Sequence, residues 1–113
     1  MQAPQSAVLL RIYTEEGKKN GDRPLHEAIV LRARERGLAG ATVLRGPMGF
    51  GRSAVIRTAK ILDLSANLPL VIEIVDAEDR IHAFLGELNA MPDIGLVTLE
   101  KVEVVRYGKV GET

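Results

Sequence analysis

Two short amphipathic segments, each lying between two strand-like runs, constrain the fold of this chain more than any other feature. The first predicted helix carries Leu25, Ile29 and Ala33 at i, i+4 and i+8, which places them on one face. The second repeats its apolar residues at i, i+3, i+4, i+7 and i+10: Ile81, Phe84, Leu85, Leu88 and Met91. This spacing predicts two helices that each bury one stripe.

Residues that favour helix ends bound both segments. Pro24 suits the first turn of the first helix, Asp22 before it could act as its cap, and Gly37 suits a left-handed C-terminal position. Asp76 is a good N-cap for the second helix, and Glu78 and Asp79 suit its first turn.

Strand-like runs of apolar and β-branched residues flank the helices at 7–13, 41–45, 68–75 and 96–105. The order is therefore β-α-β, a long loop, then β-α-β. This order predicts an α+β, ferredoxin-like βαββαβ domain spanning residues 1–113, with a four-stranded antiparallel sheet and both helices on one face.

Several strands are apolar on both faces, which a two-layer monomer does not explain. In the run 68–75, Leu70, Ile72 and Ile74 share one face, yet Val71 and Val75 on the other face are apolar too. A second copy of the chain would cover such a surface, which favours an oligomer. The alternative is that barrel-like curvature or a bulge produces the pattern.

Composition excludes several classes of function. Fifteen basic residues balance fifteen acidic ones, which argues against nucleic-acid binding and against electrostatic docking on a membrane. The chain has no cysteine, so disulfides, thiolate catalysis and cysteine-ligated metals are excluded. No apolar run approaches the roughly 20 residues that span a bilayer, and residues 1–6 have no apolar signal core. We therefore expect a cytoplasmic protein without direct membrane insertion.

The loop 46–67 is the first candidate site. Gly49 and Gly51 permit a positive φ and the close approach of a ligand to the backbone, and arginine suits phosphate. The predicted ligand-binding residues are Arg45, Gly46, Gly49, Gly51, Arg52 and Arg57. Phe50, an aromatic residue in a polar loop, is the predicted partner contact. The alternative is a flexible loop with solvated arginines. No Gly-Lys-Ser/Thr motif is present, so phosphate transfer is not indicated.

Other candidates fit ordinary structural roles better. Lys18, Lys19 and Arg23 in the loop 15–23 could meet a ligand, but a solvated charge run is the favoured interpretation. His82 lies one turn after Glu78, and two ligands are too few for a metal site.

No serine or threonine of the loops lies beside a histidine, so the sequence offers no catalytic residue and predicts no enzyme. Glu73 is unusual within an apolar strand, and we expect it to pair with Arg11 or Lys101.

The segments GATVLRG (40–46), GFG (49–51), DLS (63–65) and LPLVIEIVD (68–76) together resemble the domain-of-unknown-function 190 family, which belongs with the PII-like proteins. The closing segment GLVTLEKV (95–102) fits the same family. The resemblance runs from about Val8 to Tyr107, nearly the whole chain.

This resemblance implies a homotrimer whose sheets line the inside, and it makes the loop 46–67 the counterpart of the PII T-loop, which meets partners. It also implies an adenine nucleotide at the clefts between subunits and a regulated partner such as a membrane transporter. The chain departs from PII proteins at residues 90–95, which contain no Lys or Arg where PII proteins grip phosphate. AMP, ADP or a cyclic nucleotide therefore suits the resemblance as well as ATP.

The leading hypothesis is thus a PII-like trimeric signalling protein with an adenine nucleotide effector and no certain cofactor. One alternative is a divalent-metal-responsive trimer like the CutA proteins, although the chain has no cysteine and only two separated histidines. Another is a structural trimeric scaffold without a small-molecule ligand.

Overall fold

The computed structural model describes residues 5–59 and 67–108 of the chain. In chain order, their elements are β1 (Gln5–Glu15), β2 (Lys19–Asn20), β3 (Arg23–Pro24), α1 (Leu25–Glu35), β4 (Thr42–Arg45), β5 (Met48–Gly49), β6 (Arg57–Thr58), β7 (Pro69–Asp76), α2 (Glu78–Leu88) and β8 (Val97–Val104). Neither helix is long and apolar enough to cross a membrane.

The four longer strands form one antiparallel sheet in the order β4-β7-β1-β8. On the central strand β1, Leu10 lies opposite Ile74 of β7 on one side and Leu99 of β8 on the other. The two strands of each β-α-β half are therefore not neighbours, because one strand of the other half lies between them. The predicted ferredoxin-like fold is confirmed.

Both helices cover the same face of this sheet and form the core with it. The fully or nearly fully buried residues come from β1 (Val8, Leu10, Ile12), β7 (Ile72, Ile74), α1 (Leu25, Ile29, Ala33) and α2 (Ile81, Phe84, Leu88). Burial of each large apolar side chain contributes about 1.5–3 kcal/mol. The helical stripes predicted from spacing are thus the residues that hold the layers together.

The predicted helix caps are wrong in their details. Asp22 lies in the turn between β2 and β3, and α1 begins after Pro24 with no side-chain cap. Likewise, α2 begins after Ala77 with no side-chain cap. Asp76 is only 4% exposed, and its carboxylate accepts hydrogen bonds from the backbone N–H of Ala39 at 2.8 Å and of Ala77 at 2.7 Å. The carboxylate therefore anchors the connection between α1 and β4. Gly37 follows α1 with φ +70°, as predicted.

Two small hairpins occupy segments that the sequence predicts as loops. Lys19 pairs with Pro24 in the β2–β3 hairpin, and Met48 pairs with Thr58 in the β5–β6 hairpin. The rest of the predicted long loop, at 60–66, and the tail from 109 onward lie outside the described residues.

The face of the sheet away from the helices, called the open face below, carries apolar and charged rows. Register places Leu44, Val71 and Tyr13 in one row. In the next row, Arg11 Nε donates to Glu73 Oε2 at 3.0 Å, and this hydrogen bond is the main cause of the raised Arg11 pKa. The predicted pairing of Glu73 with Arg11 is therefore present within one chain.

Along the last strand, β8, the apolar residues switch from one face of the sheet to the other, and no β-bulge causes this switch. Its pairing with β1 runs unbroken from Ile12 opposite Val97 to Gln5 opposite Val104. Val97 consequently faces the helices, whereas Val102 and Val104 face the open side. A bulge does not explain the pattern in this strand.

Candidate functional site

The candidate site lies at one end of the sheet, where strands β1 and β4 end and strand β7 begins. Arg45 pairs with Leu70, and Glu15 pairs with Pro69. Directly after β4, Gly46 N–H donates one further backbone hydrogen bond to the Pro69 carbonyl at 2.8 Å. The hairpin formed by residues 46–59, called the β5–β6 hairpin throughout, therefore begins at the sheet itself.

Backbone bonds shape this hairpin and its turn. Ala59 N–H donates to the Pro47 carbonyl, and Ala54 N–H donates to the Gly51 carbonyl, each at 2.9 Å. The positive φ in this segment belongs to Ala54, at 61°, and not to Gly49 or Gly51 as their freedom had suggested. At Gly49 a Cβ would lie 3.1 Å from Pro69 Cγ. Gly49 thus permits close packing of the hairpin on the sheet edge.

The tip of the hairpin exposes apolar side chains to solvent. Phe50 is 72% exposed, and Val55 and Ile56 are also exposed; Met48 on β5, opposite Thr58, is exposed nearer the base. Arg52 is exposed at the turn beside them. The geometry therefore separates Phe50 and Arg52, at the tip, from Arg45 and Arg57, at the base.

The two arginines at the base are paired with acids that the sequence reasoning did not select. Arg45 Nη2 lies 2.8 Å from Glu16 Oε2, and Arg57 Nε lies 3.2 Å from Glu15 Oε2. Both acids lie within three residues of the end of the first apolar run, and the predicted topology brings the end of that strand to the loop base. That combination is the signal that could have identified them.

The base is consequently a charge-neutral set of two arginines and two glutamates. Glu16 is also held by Leu68, the residue before β7, because its Oε1 accepts from Leu68 N–H at 3.1 Å and its own N–H donates to the Leu68 carbonyl at 3.1 Å. Arg45 Nη2 and Arg57 Nε already donate to carboxylates, so an anion that binds at these two atoms would compete with Glu16 or Glu15. The arrangement suits exchange of one anion for another.

The remaining candidates are not among the paired charges of this base, although Lys18 N–H donates to the Glu15 carbonyl at 3.3 Å. Lys19 and Arg23 belong to the β2–β3 hairpin, at one end of a shallow groove of about 610 Å³ along α1. His82 Nε2 lies 3.8 Å from Glu78 Oε1, and both side chains are exposed. No three His, Asp or Glu residues within the described ranges are grouped so that they could hold a metal ion.

Comparison with known proteins agrees with the observed fold. A UPF0166 protein of Aquifex aeolicus (strain VF5) is 44% identical over 97 residues, which cover 86% of this chain and 91% of that protein. Two structures of CPII, a nitrogen regulatory PII-like protein from Thiomonas intermedia K12, each match with a TM-score of 0.61 over 90% of this chain and 91% of CPII. Their identities are 19% and 18%, so this likeness concerns the fold. One CPII structure contains ADP and bicarbonate, and the other contains ADP, AMP and bicarbonate.

A family model named DUF190, described as uncharacterized ACR, matches residues 7–104, which is most of the chain and all of its four-stranded sheet except the first two residues of β1. The resemblance noted in the sequence is therefore confirmed, and the chain belongs to the DUF190 family.

Proposed function

We propose that this chain is a PII-like regulatory protein rather than an enzyme. In this proposal three copies assemble, an adenine nucleotide binds at the clefts between them, and the β5–β6 hairpin controls a partner protein such as a membrane transporter. The observation that carries the proposal is the hairpin itself, which combines an exposed apolar tip with an arginine-bearing base at the sheet edge.

The proposed effector is supported by the chemistry of the base and by a structural neighbour. Arg45 and Arg57 offer planar donor forks, which match the oxygens of phosphate. CPII, which shares the fold, was solved with adenine nucleotides. We place the phosphates near Arg45 and Arg57 together with the backbone of Gly46 and Gly49, at the base of the hairpin and away from Arg52 at its tip.

The proposed partner contact is Phe50. This large aromatic side chain is 72% exposed at the hairpin tip, so its burial by a partner would stabilise the complex. Phe50→Ala should therefore weaken partner binding and leave assembly unchanged. Loss of the oligomer in this variant would contradict the assignment, because it would place Phe50 in the interface between copies.

The decisive experiment is a thermal-shift screen with light scattering on the same purified sample. AMP, ADP, ATP, cyclic AMP, cyclic di-AMP and divalent metals would be tested separately. A ligand at 100 times its dissociation constant adds about 2.7 kcal/mol to the free energy of unfolding, which raises the melting temperature visibly.

We expect a shift with at least one adenine nucleotide on a trimeric protein. A shift with metals alone would instead favour the metal-responsive trimer. No shift with any compound would favour a scaffold whose ligand is another protein.

A further inference from the structure

An ion pair fastens the returning strand of the β5–β6 hairpin to the four-stranded sheet. Arg57 lies on β6, and Glu15 is the last residue of β1; Arg57 Nε donates to Glu15 Oε2 at 3.2 Å. The outgoing side of the hairpin is fixed differently, by the Gly46–Pro69 backbone bond and by Gly49 packing on Pro69. The Arg57–Glu15 pair therefore influences how firmly the second half of the hairpin is attached.

This pair is accessible enough to be competed for. The Arg57 side chain is 34% exposed and that of Glu15 is 21% exposed, so solvent and ions reach both. Such pairs contribute little to stability, whereas a phosphate group offers arginine more acceptor oxygens and more charge than one carboxylate does. A phosphate that binds the Arg57 guanidinium would therefore compete with Glu15, and loss of this pair would remove the Arg57–Glu15 side-chain link between β6 and β1.

We propose that Glu15 acts as a latch, occupying Arg57 until a phosphate-bearing ligand takes the guanidinium and releases the returning strand of the hairpin. This inference rests on the proposed function, because it specifies how a ligand at the loop base changes the segment that meets the partner. It assigns a regulatory role to Glu15, a residue outside the predicted site.

Limited trypsin digestion tests the latch without any ligand. Arg52 at the hairpin turn is the reporter, and cleavage after it is quantified by mass spectrometry. Glu15→Gln removes the charge and keeps the side-chain shape, so cleavage after Arg52 should accelerate about two- to five-fold, as loss of a partly exposed ion pair predicts.

Glu16→Gln is the matched control. It removes the same charge from the neighbouring residue, but its partner Arg45 belongs to β4 and not to the returning strand of the hairpin. Cleavage after Arg52 should stay at the wild-type rate in this variant. Equal rates in Glu15→Gln and wild type, or equal acceleration in both variants, would overturn the latch.

The second measurement adds ADP or inorganic pyrophosphate. In the wild type either compound should accelerate cleavage after Arg52, whereas Glu15→Gln should cleave rapidly with or without it. Titration calorimetry should also show about two- to five-fold tighter binding to Glu15→Gln, because no carboxylate must be displaced. Equal affinity, or slower cleavage of both proteins with ligand, would overturn the proposal.

The two proposals fail in different ways. If ADP binds the wild type and Glu15→Gln identically, the nucleotide-binding function stands and the latch is refuted. If neither ADP nor any other nucleotide binds, the proposed effector is refuted; the ligand-free digestion and the pyrophosphate titration then still decide whether Glu15 holds Arg57.

Discussion

At the scale of single residues, Gly95 shows the tightest constraint that a backbone places on a side chain here. A Cβ at this position would lie 2.6 Å from the carbonyl oxygen of Tyr13, and the neighbouring Leu96 carbonyl holds the Tyr13 N–H at 2.8 Å. Since residues 95–96 cannot move away from β1 without loss of that bond, we expect Gly95→Ala to lower the free energy of unfolding by about 1–3 kcal/mol, measured by urea denaturation.

Gly86→Ala provides the contrasting control for the same substitution. Gly86 lies within α2, and a Cβ there would meet no atom within 4 Å. Alanine is favoured over glycine in a helix, so the free energy of unfolding should rise by about 0.5–1 kcal/mol in this variant. The changes in the free energy of unfolding should have opposite signs for the two variants. Destabilisation by both would show that the room available for a Cβ does not determine the effect.

At the scale of elements, one carboxylate couples the two helices electrostatically. Glu87 of α2 accepts hydrogen bonds from Arg36 at 2.8 Å and from Arg32 at 2.9 Å, and these bonds, that from Arg36 above all, lower its pKa below the ordinary value. A group whose pKa is lowered in the folded protein stabilises the fold above its unfolded-state pKa and loses this effect as the pH falls through the folded value.

Glu87→Gln should therefore lower the melting temperature near neutral pH. Since protonation abolishes the same interaction in the wild type, the difference should shrink as the pH falls below the ordinary carboxylate range. Melting temperatures measured from about pH 7 to about pH 3 test this. Asp22→Asn, which neutralises an acid in the exposed β2–β3 turn, should show no comparable dependence.

The elements predictable from sequence are those whose residues repeat with a period. The spacing of Ile81, Phe84 and Leu88 identifies α2 because one buried stripe determines both its type and its orientation. The β2–β3 and β5–β6 hairpins have two-residue strands, which are too short to show any alternation.

Pairs such as Arg57–Glu15 join residues 42 positions apart, so they follow from tertiary structure and leave no local pattern. Asp76 was misassigned as a cap because its burial depends on a distant connection.

At the scale of the whole molecule, the open face of the sheet is the surface through which we propose that copies associate. The two helices cover only the opposite face, and within residues 5–59 and 67–108 no helix or further sheet lies over the row Leu44–Val71–Tyr13. The Arg11–Glu73 pair crosses the next row, and its charges compensate one another within the chain. Apolar rows interrupted by compensated charges can be buried between copies at a smaller cost than unpaired charges.

Val71→Glu should therefore dissociate the proposed trimer. The side chain alternates with Leu70 and Ile72, which face the helices, so the added carboxylate leaves the core of each chain intact and places an unpaired charge on the open face. Light scattering should give the mass of one chain for Val71→Glu and three times that mass for the wild type, with similar circular dichroism spectra. Phe50→Glu, which adds the same charge at an exposed apolar position on the hairpin tip, should remain trimeric. A trimeric Val71→Glu with normal structure would show that the copies associate through another surface.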